Sequence, residues 1–318
     1  EAVGHRIVHG GAYFSESVLL TDEVLAKLEL CRDLAPLHTG AHIMGIQGCL
    51  AAMPKTPQVL VFDTAFHTAS MPDYAYVYPV SYDMYEKYAV RRYGAHGTSH
   101  RYVSGECIKL LGGKAEGTKI VTCHLGNGSS ISAVKDGKVL DTSMGFTPLA
   151  GIEMGTRCGD IDPAIVPYIM NKTGMNADEM NEYMNKKCGF LGVSGISSDC
   201  RDVSAAAKAG NKRAKLALDI VSYQIRKFIG AYTAAMGGLD AIVFTAGIGE
   251  NDWEMRESVC SELGYFGVEF DAEHNANLPR PLVATEISKP TSKVKVFMIP
   301  TNEELVIASD TERIVKAL

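Results

Sequence analysis

Two glycine-rich segments, each directly after a stretch with the pattern of a buried β-strand, constrain the fold of this chain most. Residues 123–130 (CHLGNGSS) lie between two β-rich runs, and residues 246–251 (AGIGEN) follow the run 241–245 (AIVFT) ahead of an apparent helix. Glycine lets the backbone approach an anion closely, and successive N–H groups can then point at phosphate oxygens. One such loop is typical of an ordinary turn. Two of them indicate a nucleotide with several phosphates.

Length and charge restrict the class of protein. A chain of 318 residues predicts two lobes, and 46% hydrophobic residues with 31 glycines favour a soluble α/β enzyme. The net charge of -6 and the absence of a Lys/Arg-rich block argue against nucleic acid as a partner. No apolar run is long enough to cross a bilayer, and the first residues lack the layout of a secretion signal, so no membrane partner is expected.

The eight cysteines follow no regular spacing and include no C-x-x-C pair. Neither a zinc site nor a disulfide framework is therefore predicted, and a reducing cytoplasm is the expected compartment.

Strand and helix patterns alternate along the chain. Residues 59–62 form a buried-strand pattern that ends at Asp63, and the turn Asp136-Gly137 predicts a hairpin after the first glycine segment. Apolar residues repeat every three or four positions in 214–236, which predicts a long helix with a buried face that stops at Gly237. A late strand at 294–299 and a terminal helix opened by acidic residues complete an α/β fold.

Residues 93–100 (YGAHGTSH) hold two histidines, a threonine and a serine between glycines. The run is predicted to be a substrate-facing loop, and the alternative is a structural loop whose histidines cap carbonyl groups. A zinc site at His96 and His100 is not expected, because Gly97 would interrupt the helix that aligns such a pair.

Two arginines lie in segments suited to holding an anion. Arg157 lies in 155–163 (GTRCGDIDP), where glycines and carboxylates could keep its fork rigid, or could simply pair with it through Asp160 or Asp162. Arg6, ahead of a glycine pair at 10–11, is a second candidate fork or an ordinary surface arginine.

In order along the whole chain, nine segments resemble the acetate kinase family: 4–11, 35–38, 62–67, 92–103, 124–130, 155–162, 198–203, 244–251 and 299–305. The resemblance implies the two-lobed fold shared by acetate and sugar kinases, Hsp70 and actin. Residues 1–67 plus 300–318 would form the acyl-substrate side, and 68–299 the nucleotide lobe. It also implies ATP and acetate as substrates, Mg²⁺, and a homodimer.

The resemblance further implies roles for individual residues. Arg6 and Arg157 would grip the carboxylate and the transferring phosphoryl group, His96 would donate to the developing charge, Asp63 would be the catalytic aspartate, and Glu303 would be associated with magnesium. The acyl methyl group would lie against Val8, Leu37, Ala95 and Pro148. The nucleotide would be held by His124, Leu125, Gly126, Asn127, Gly128, Asp199, Cys200, Arg201, Gly247, Ile248, Gly249, Glu250 and Asn251.

A short-chain carboxylic acid with a pKa near 4.3 is already ionised at neutral pH and needs no general base to attack phosphorus. Asp63 is therefore expected to orient Arg6 or hydrated magnesium, and direct in-line transfer of the ATP γ-phosphoryl group to acetate is the expected reaction.

Three departures from the family pattern bear on activity. Ala95 stands where a phenylalanine is usual, which predicts a wider pocket that also accepts propionate. Residues 39–42 (TGAH) replace an Asn-Pro run at the pocket edge. The family's first phosphate loop, with its magnesium-associated asparagine, would precede Glu1, so a chain starting there is expected to be impaired. The alternatives are thus a propionate or other short-chain acyl kinase, or an inactive truncated nucleotide-binding fragment.

Overall fold

The computed structural model describes residues 1–35 and 38–318. Its strands form two separate sheets. The small sheet contains β1 (Val3–Ile7), β2 (Val18–Leu19) and β3 (Gln58–Phe62) in the order β1-β3-β2. Strands β1 and β3 are parallel, with Ile7 opposite Phe62. Residues at the carboxyl-terminal ends of these two strands therefore lie side by side.

The large sheet has six strands in the order β6-β5-β4-β7-β9-β8. They are β4 (Lys119–Leu125), β5 (Ser129–Lys135), β6 (Lys138–Thr142), β7 (Ala241–Thr245), β8 (Thr285–Glu286) and β9 (Lys295–Met298). Strands β4 and β7 run parallel with His124 opposite Thr245, so the two glycine segments leave the sheet side by side. The predicted Asp136-Gly137 hairpin between β5 and β6 is confirmed, with φ of 54° and 73° at its two residues.

Fifteen α-helices occur in the described ranges. They are α1 (Asp22–Leu30), α2 (Thr39–Ala52), α3 (Ala65–Thr68), α4 (Asp73–Tyr76), α5 (Tyr82–Tyr88), α6 (Gly97–Leu110), α7 (Ile165–Thr173), α8 (Ala177–Lys186), α9 (Gly189–Ser194), α10 (Cys200–Lys208), α11 (Lys212–Met236), α12 (Ala246–Asn251), α13 (Trp253–Cys260), α14 (Ala272–Ala276) and α15 (Glu303–Val315).

Helix α11 is the main packing partner of the large sheet. The Asn211 side chain accepts hydrogen bonds from the first backbone N–H groups, and Gly237 ends the helix with a φ of 73°. Its buried face, which includes Val221, Ile225 and Ile229, joins the same hydrophobic core as β4, β5 and β7. The long amphipathic helix predicted from the sequence is confirmed.

Helix α15 packs on the small sheet and on α6. Gly4 of β1 permits this approach, because a Cβ there would lie 2.5 Å from Thr311 Oγ1. Asn302 caps the helix through the Leu305 N–H group. The packing brings Glu303, the first residue of α15, to the edge where β1 and β3 end.

Two local predictions were wrong. Residues 97–100 are not loop but the first turn of α6, since His96 takes a left-handed conformation (φ 57°) and the Gly97 N–H group bonds to the Asp63 carbonyl oxygen. Gly97 thus starts a helix instead of interrupting one. The second glycine segment is likewise helical, because α12 begins immediately after β7. In the described parts of the chain, no helix combines the length and apolarity needed to cross a bilayer.

Candidate functional site

Arg6 and Asp63 form a two-pronged ion pair at the edge of the small sheet. Arg6 Nε and Nη2 donate to Asp63 Oδ2 at 3.0 and 2.7 Å. Asp63 is buried whereas the Arg6 side chain is 46% exposed. The guanidinium is therefore held by a buried carboxylate and remains partly accessible to solvent. Burial by itself lowers the pKa of Arg6, but the bond to Asp63 and the charge of Glu303 raise it overall.

Glu303 lies beside this pair. The Thr98 hydroxyl is 2.8 Å from Glu303 Oε2 and 3.1 Å from Asp63 Oδ1, and Arg6 Nη2 is 3.6 Å from Glu303 Oε2. Burial raises the pKa of Glu303, and Arg6 opposes that shift. Two carboxylates from separate elements therefore converge on one point.

Arg157 reaches the site from the loop between β6 and α7. Its Nη1 donates to the Pro148 carbonyl oxygen at 3.0 Å, and no carboxylate forms a salt bridge with it among the described residues. Asp160 instead accepts from the Gly151 N–H group at 2.8 Å. Arg157 is thus not the structural ion pair that the sequence left open, and burial lowers its pKa.

A gap above Gly128 separates Arg157 from His96. A Cβ built on Gly128 would lie 3.2 Å from Arg157 Nη1 and 3.5 Å from His96 Nε2. Gly128 therefore places no side chain between the guanidinium and the imidazole nitrogen, which both approach this point of the backbone. Burial lowers the pKa of His96, and the neighbouring charges of His124, His100, Arg6 and Arg157 lower it further, so both arginines lie near this ring.

The His96 ring is held by its neighbours. Its Nδ1 is 2.9 Å from Ser130 Oγ, and it stacks on His124 with ring centroids 4.1 Å apart. His124 Nδ1 is in turn 2.8 Å from Ser99 Oγ. Burial lowers the pKa of His124 to about 3 and that of His96 well below its ordinary value, so both rings are neutral near pH 7.

The two glycine segments border a cleft of about 920 Å³. Eight of the residues predicted to hold the nucleotide line it, namely Gly126, Asn127, Asp199, Cys200, Arg201, Gly247, Ile248 and Asn251. Arg201 makes a two-pronged pair with Asp199 at the mouth. Gly247 adds no side chain to the wall of this cleft, and a Cβ built there would meet no described atom within 4 Å.

Other predicted nucleotide residues lie around this cleft and do not line it. Leu125 and Gly249 are buried, His124 stacks on His96, and Gly128 lies beside Arg157 Nη1 and His96 Nε2. The Glu250 carboxylate accepts from the N–H groups of Ala246 and Thr301 at 2.8 and 3.0 Å. Glu250 therefore links the second glycine segment to the strand end before α15.

The predicted acyl pocket is only partly visible. Leu37 lies outside the described residues, and Val8 and Pro148 are half-buried near the arginines. Ala95 is buried in a small cluster with Met144 and Met154. Two methionines thus pack around the alanine that stands in place of an aromatic ring.

Sequence reasoning missed Thr98, Ser130 and His38 as members of this site. His38 precedes α2, and the charges of Arg157 and Arg6 lower its pKa further than burial alone does. Ser130 could have been found from strand pairing, because it lies directly opposite His124 in the β4–β5 ladder. Within residues 1–35 and 38–318, no group of three or more His, Cys, Asp or Glu side chains is arranged to hold a metal ion.

Comparison with known proteins agrees with this arrangement. The Acetokinase family profile matches residues 1–309. The chain is 58% identical to an acetate kinase of Treponema denticola over 315 residues, which is 99% of this chain and 78% of that protein. The crystal structure of Porphyromonas gingivalis acetate kinase superposes with a TM-score of 0.94 at 50% identity, covering 99% of this chain and 78% of the other.

A propionate kinase from Francisella tularensis is also similar, with a TM-score of 0.92, 46% identity, and coverage of 98% of this chain and 79% of the other. These matches confirm the predicted two-lobed α/β fold of acetate and sugar kinases. Because the family profile matches almost the whole sequence and an acetate kinase is 58% identical over 99% of it, this chain belongs to the acetokinase family.

Proposed function

We propose that this protein catalyses Mg²⁺-dependent, reversible transfer of the γ-phosphoryl group of ATP to acetate, forming acetyl phosphate and ADP. The observation that carries the proposal is the gap above Gly128, which Arg157 Nη1 and His96 Nε2 border. Arg157 is half-buried and no carboxylate among the described residues pairs with it, so an anion beside it would stabilise its charge. The chemistry of the gap therefore calls for a phosphoryl or carboxylate group.

The arginines divide two tasks. Arg6 is fixed by Asp63 and suits a resident carboxylate, because two-pronged binding gives orientation as well as affinity. Arg157 and His96 then face the equatorial oxygens of the transferring phosphoryl group, where charge spreads in a loose transition state. Acetate is already ionised at neutral pH, so its oxygen attacks phosphorus directly and no residue has to remove a proton.

Asp63 and Glu303 fit a divalent cation. Mg²⁺ is usually held by one or two carboxylates together with substrate phosphates and water, and these two side chains already converge through Thr98. When bound, the ion would neutralise charge on the ATP phosphates. Asp63 keeps its bond to Arg6 throughout, and the nucleotide lies in the cleft between the glycine segments.

The test is acyl phosphate formation by the purified protein with ATP, Mg²⁺ and acetate, trapped as the hydroxamate, with ADP release measured in parallel. We expect equal amounts of both products, and an Arg157→Ala variant that loses roughly 10²-fold or more in kcat. The control is Arg226→Ala, a half-buried arginine on α11 that also donates to a backbone carbonyl oxygen. Wild-type protein that releases ADP without acetate, or forms no acyl phosphate, would refute the proposal.

Propionate is the second candidate substrate. Ala95 removes an aromatic ring, and the flexible side chains of Met144 and Met154 could yield to one more methylene. One methylene is worth only about 1–3 kcal/mol of discrimination. We expect kcat/KM for propionate within about tenfold of that for acetate, whereas a preference of several hundredfold for acetate would contradict the relaxed pocket.

We also propose the lobe division predicted from the sequence, with residues 1–67 and 300–318 on the acyl side and 68–299 around the nucleotide. The packing of α15 on β1 and β3 supports it. A homodimer in the cytoplasm completes the proposal, and light scattering of the purified protein tests the dimer.

A further inference from the structure

A chain of hydrogen bonds runs from the interior of the large sheet to His96. Thr122 Oγ1 lies 2.7 Å from His100 Nδ1, His100 Nε2 lies 2.7 Å from Ser130 Oγ, and Ser130 Oγ lies 2.9 Å from His96 Nδ1. Thr122, His100 and Ser130 are completely buried. Since His96 Nε2 borders the gap above Gly128, the chain ends at the proposed phosphoryl position.

Proton counting leaves two directions for this chain. Burial keeps both imidazoles neutral, so each ring carries one N–H group and one acceptor nitrogen. Ser130 Oγ has one proton and, among the described residues, bonds only to these two rings, so it donates to one ring and accepts from the other. Either every group donates toward His96, which leaves the last proton on His96 Nε2, or every group donates toward Thr122, which leaves a lone pair on that nitrogen. A change at any one member reverses or breaks the whole series.

The contacts at the two ends of the hydrogen-bond chain, Thr122 and His96, decide in which direction the groups donate. Donation toward His96 uses the Thr122 hydroxyl proton in the 2.7 Å contact with His100. If the groups donate toward Thr122, the sole acceptor among the described residues for the Thr122 hydroxyl proton is the Ser132 carbonyl oxygen at 3.5 Å, a distance at which little hydrogen bonding remains. At the other end, an anion between Arg157 and His96 needs an N–H group, and a lone pair there would repel it.

We propose that Thr122, acting through His100 and Ser130, holds His96 in the Nε2–H tautomer, so that His96 donates a hydrogen bond to the phosphoryl group. This inference rests on the proposed function for the identity of the anion. Thr122, His100 and Ser130 are positioning residues, because none of them borders the gap. The ligand class that the tautomer selects is an oxyanion that accepts but cannot donate at this position.

The direct test is NMR of protein labelled in histidine with ¹³C and ¹⁵N, recorded with saturating inorganic phosphate. The His96 signal is assigned by its loss in His96→Gln. The expected result is a protonated Nε2 and an unprotonated Nδ1. A protonated Nδ1 in the phosphate-loaded protein would overturn the proposal. The measurement needs no turnover, so it stands even if acetate proves not to be the substrate.

Three variants test the origin of the tautomer. Thr122→Val keeps the shape and deletes the hydroxyl, and Thr122→Ser restores a hydroxyl. Thr142→Val is the matched control, since it deletes another buried hydroxyl of the same sheet. The Thr142 hydroxyl bonds to Ser132 Oγ and the Ile131 carbonyl oxygen, neither of which belongs to the hydrogen-bond chain.

We expect Thr122→Val to lower kcat roughly tenfold or more, with KM for ATP unchanged and a mixture of His96 tautomers. Thr122→Ser should recover both the rate and the tautomer, and Thr142→Val should affect neither. A folded Thr122→Val protein with wild-type kcat and a single Nε2–H tautomer would overturn the proposal. If Thr122→Val does not fold, the NMR measurement of the His96 tautomer in the wild-type protein still tests the proposal.

Discussion

Filling the gap above Gly128 with a single methyl group is the sharpest test of the site. The Gly128→Ala substitution places a Cβ 3.2 Å from Arg157 Nη1 and 3.5 Å from His96 Nε2. Gly128 has no positive φ, so alanine can adopt its backbone conformation without strain. The variant therefore changes the space between two side chains and little else.

The expected fall in kcat of the Gly128→Ala variant follows from these distances. The shorter contact is a few tenths of an ångström tighter than ordinary packing, and the same Arg157 Nη1 atom also donates to the Pro148 carbonyl oxygen, which limits how far it can move. The methyl group also occupies the space that a phosphoryl oxygen needs. Misplacement of a reacting group by about 1 Å costs on the order of 10²-fold in rate. We expect kcat to fall about 10²-fold, equivalent to about 2.7 kcal/mol of transition-state stabilisation.

The assay is steady-state ADP release at saturating ATP and acetate, with the melting temperature measured on the same preparations. Gly105→Ala is the matched control, because Gly105 lies within α6 with nothing within 4 Å of a built Cβ. It should keep full activity and gain up to about 1 kcal/mol of stability. If Gly128→Ala retains wild-type kcat while melting normally, phosphoryl transfer does not occur in this gap.

Three further variants test separate parts of the molecule. Asp63→Asn removes the charge that fixes Arg6, and kcat/KM for acetate should fall roughly 10²-fold; unchanged kinetics would mean that Arg6 needs no such support. Arg201→Ala should raise KM for ATP about tenfold with kcat unchanged, because the side chain lines the nucleotide cleft; an unchanged KM would place the nucleotide elsewhere. Burial raises the pKa of Glu153 from about 4.5 to about 8. Between these values the folded state retains a proton that the unfolded state has lost, so stability falls as pH rises. Glu153→Gln should therefore melt higher than the wild type by a margin that grows from pH 5 to pH 8, at up to about 1.4 kcal/mol per pH unit; a margin independent of pH would refute the shift.

Regular elements of this fold were predictable where one local signal dominated. The stripe of α11, its stop at Gly237 and the Asp136-Gly137 hairpin each depend on residues that are neighbours in sequence. The start of α6 did not, because its first turn is held by the Asp63 carbonyl oxygen, 34 positions away. Gly97 is needed there for close approach to that backbone, and its low helix propensity gives the opposite signal.

The sequence indicated candidate site residues more readily than it indicated which side chains contact each other. The glycine segments and Arg157 stand out by local composition, whereas Thr98 and Ser130 are ordinary polar residues until β4, β5 and α6 bring them beside histidines. A sequence also cannot say which carboxylate an arginine will meet. Asp160 is close to Arg157 along the chain but bonds to the Gly151 backbone, and Asp63 meets Arg6 only because β1 and β3 run parallel.

In the reaction proposed above, the two arginines would contribute in different ways. Arg6 carries its own counter-ion, so it can hold its orientation whether or not a ligand is present. Arg157 is half-buried, no counter-ion pairs with it among the described residues, and burial lowers its pKa, so an anion stabilises its charged form. Because charge moves onto the equatorial phosphoryl oxygens during the reaction, the uncompensated arginine gains most in the transition state, whereas a neutralised one would gain little. In the proposed reaction, Arg6 would thus bind the ground-state carboxylate and Arg157 the transferring group, a division that favours turnover over tight binding of substrate.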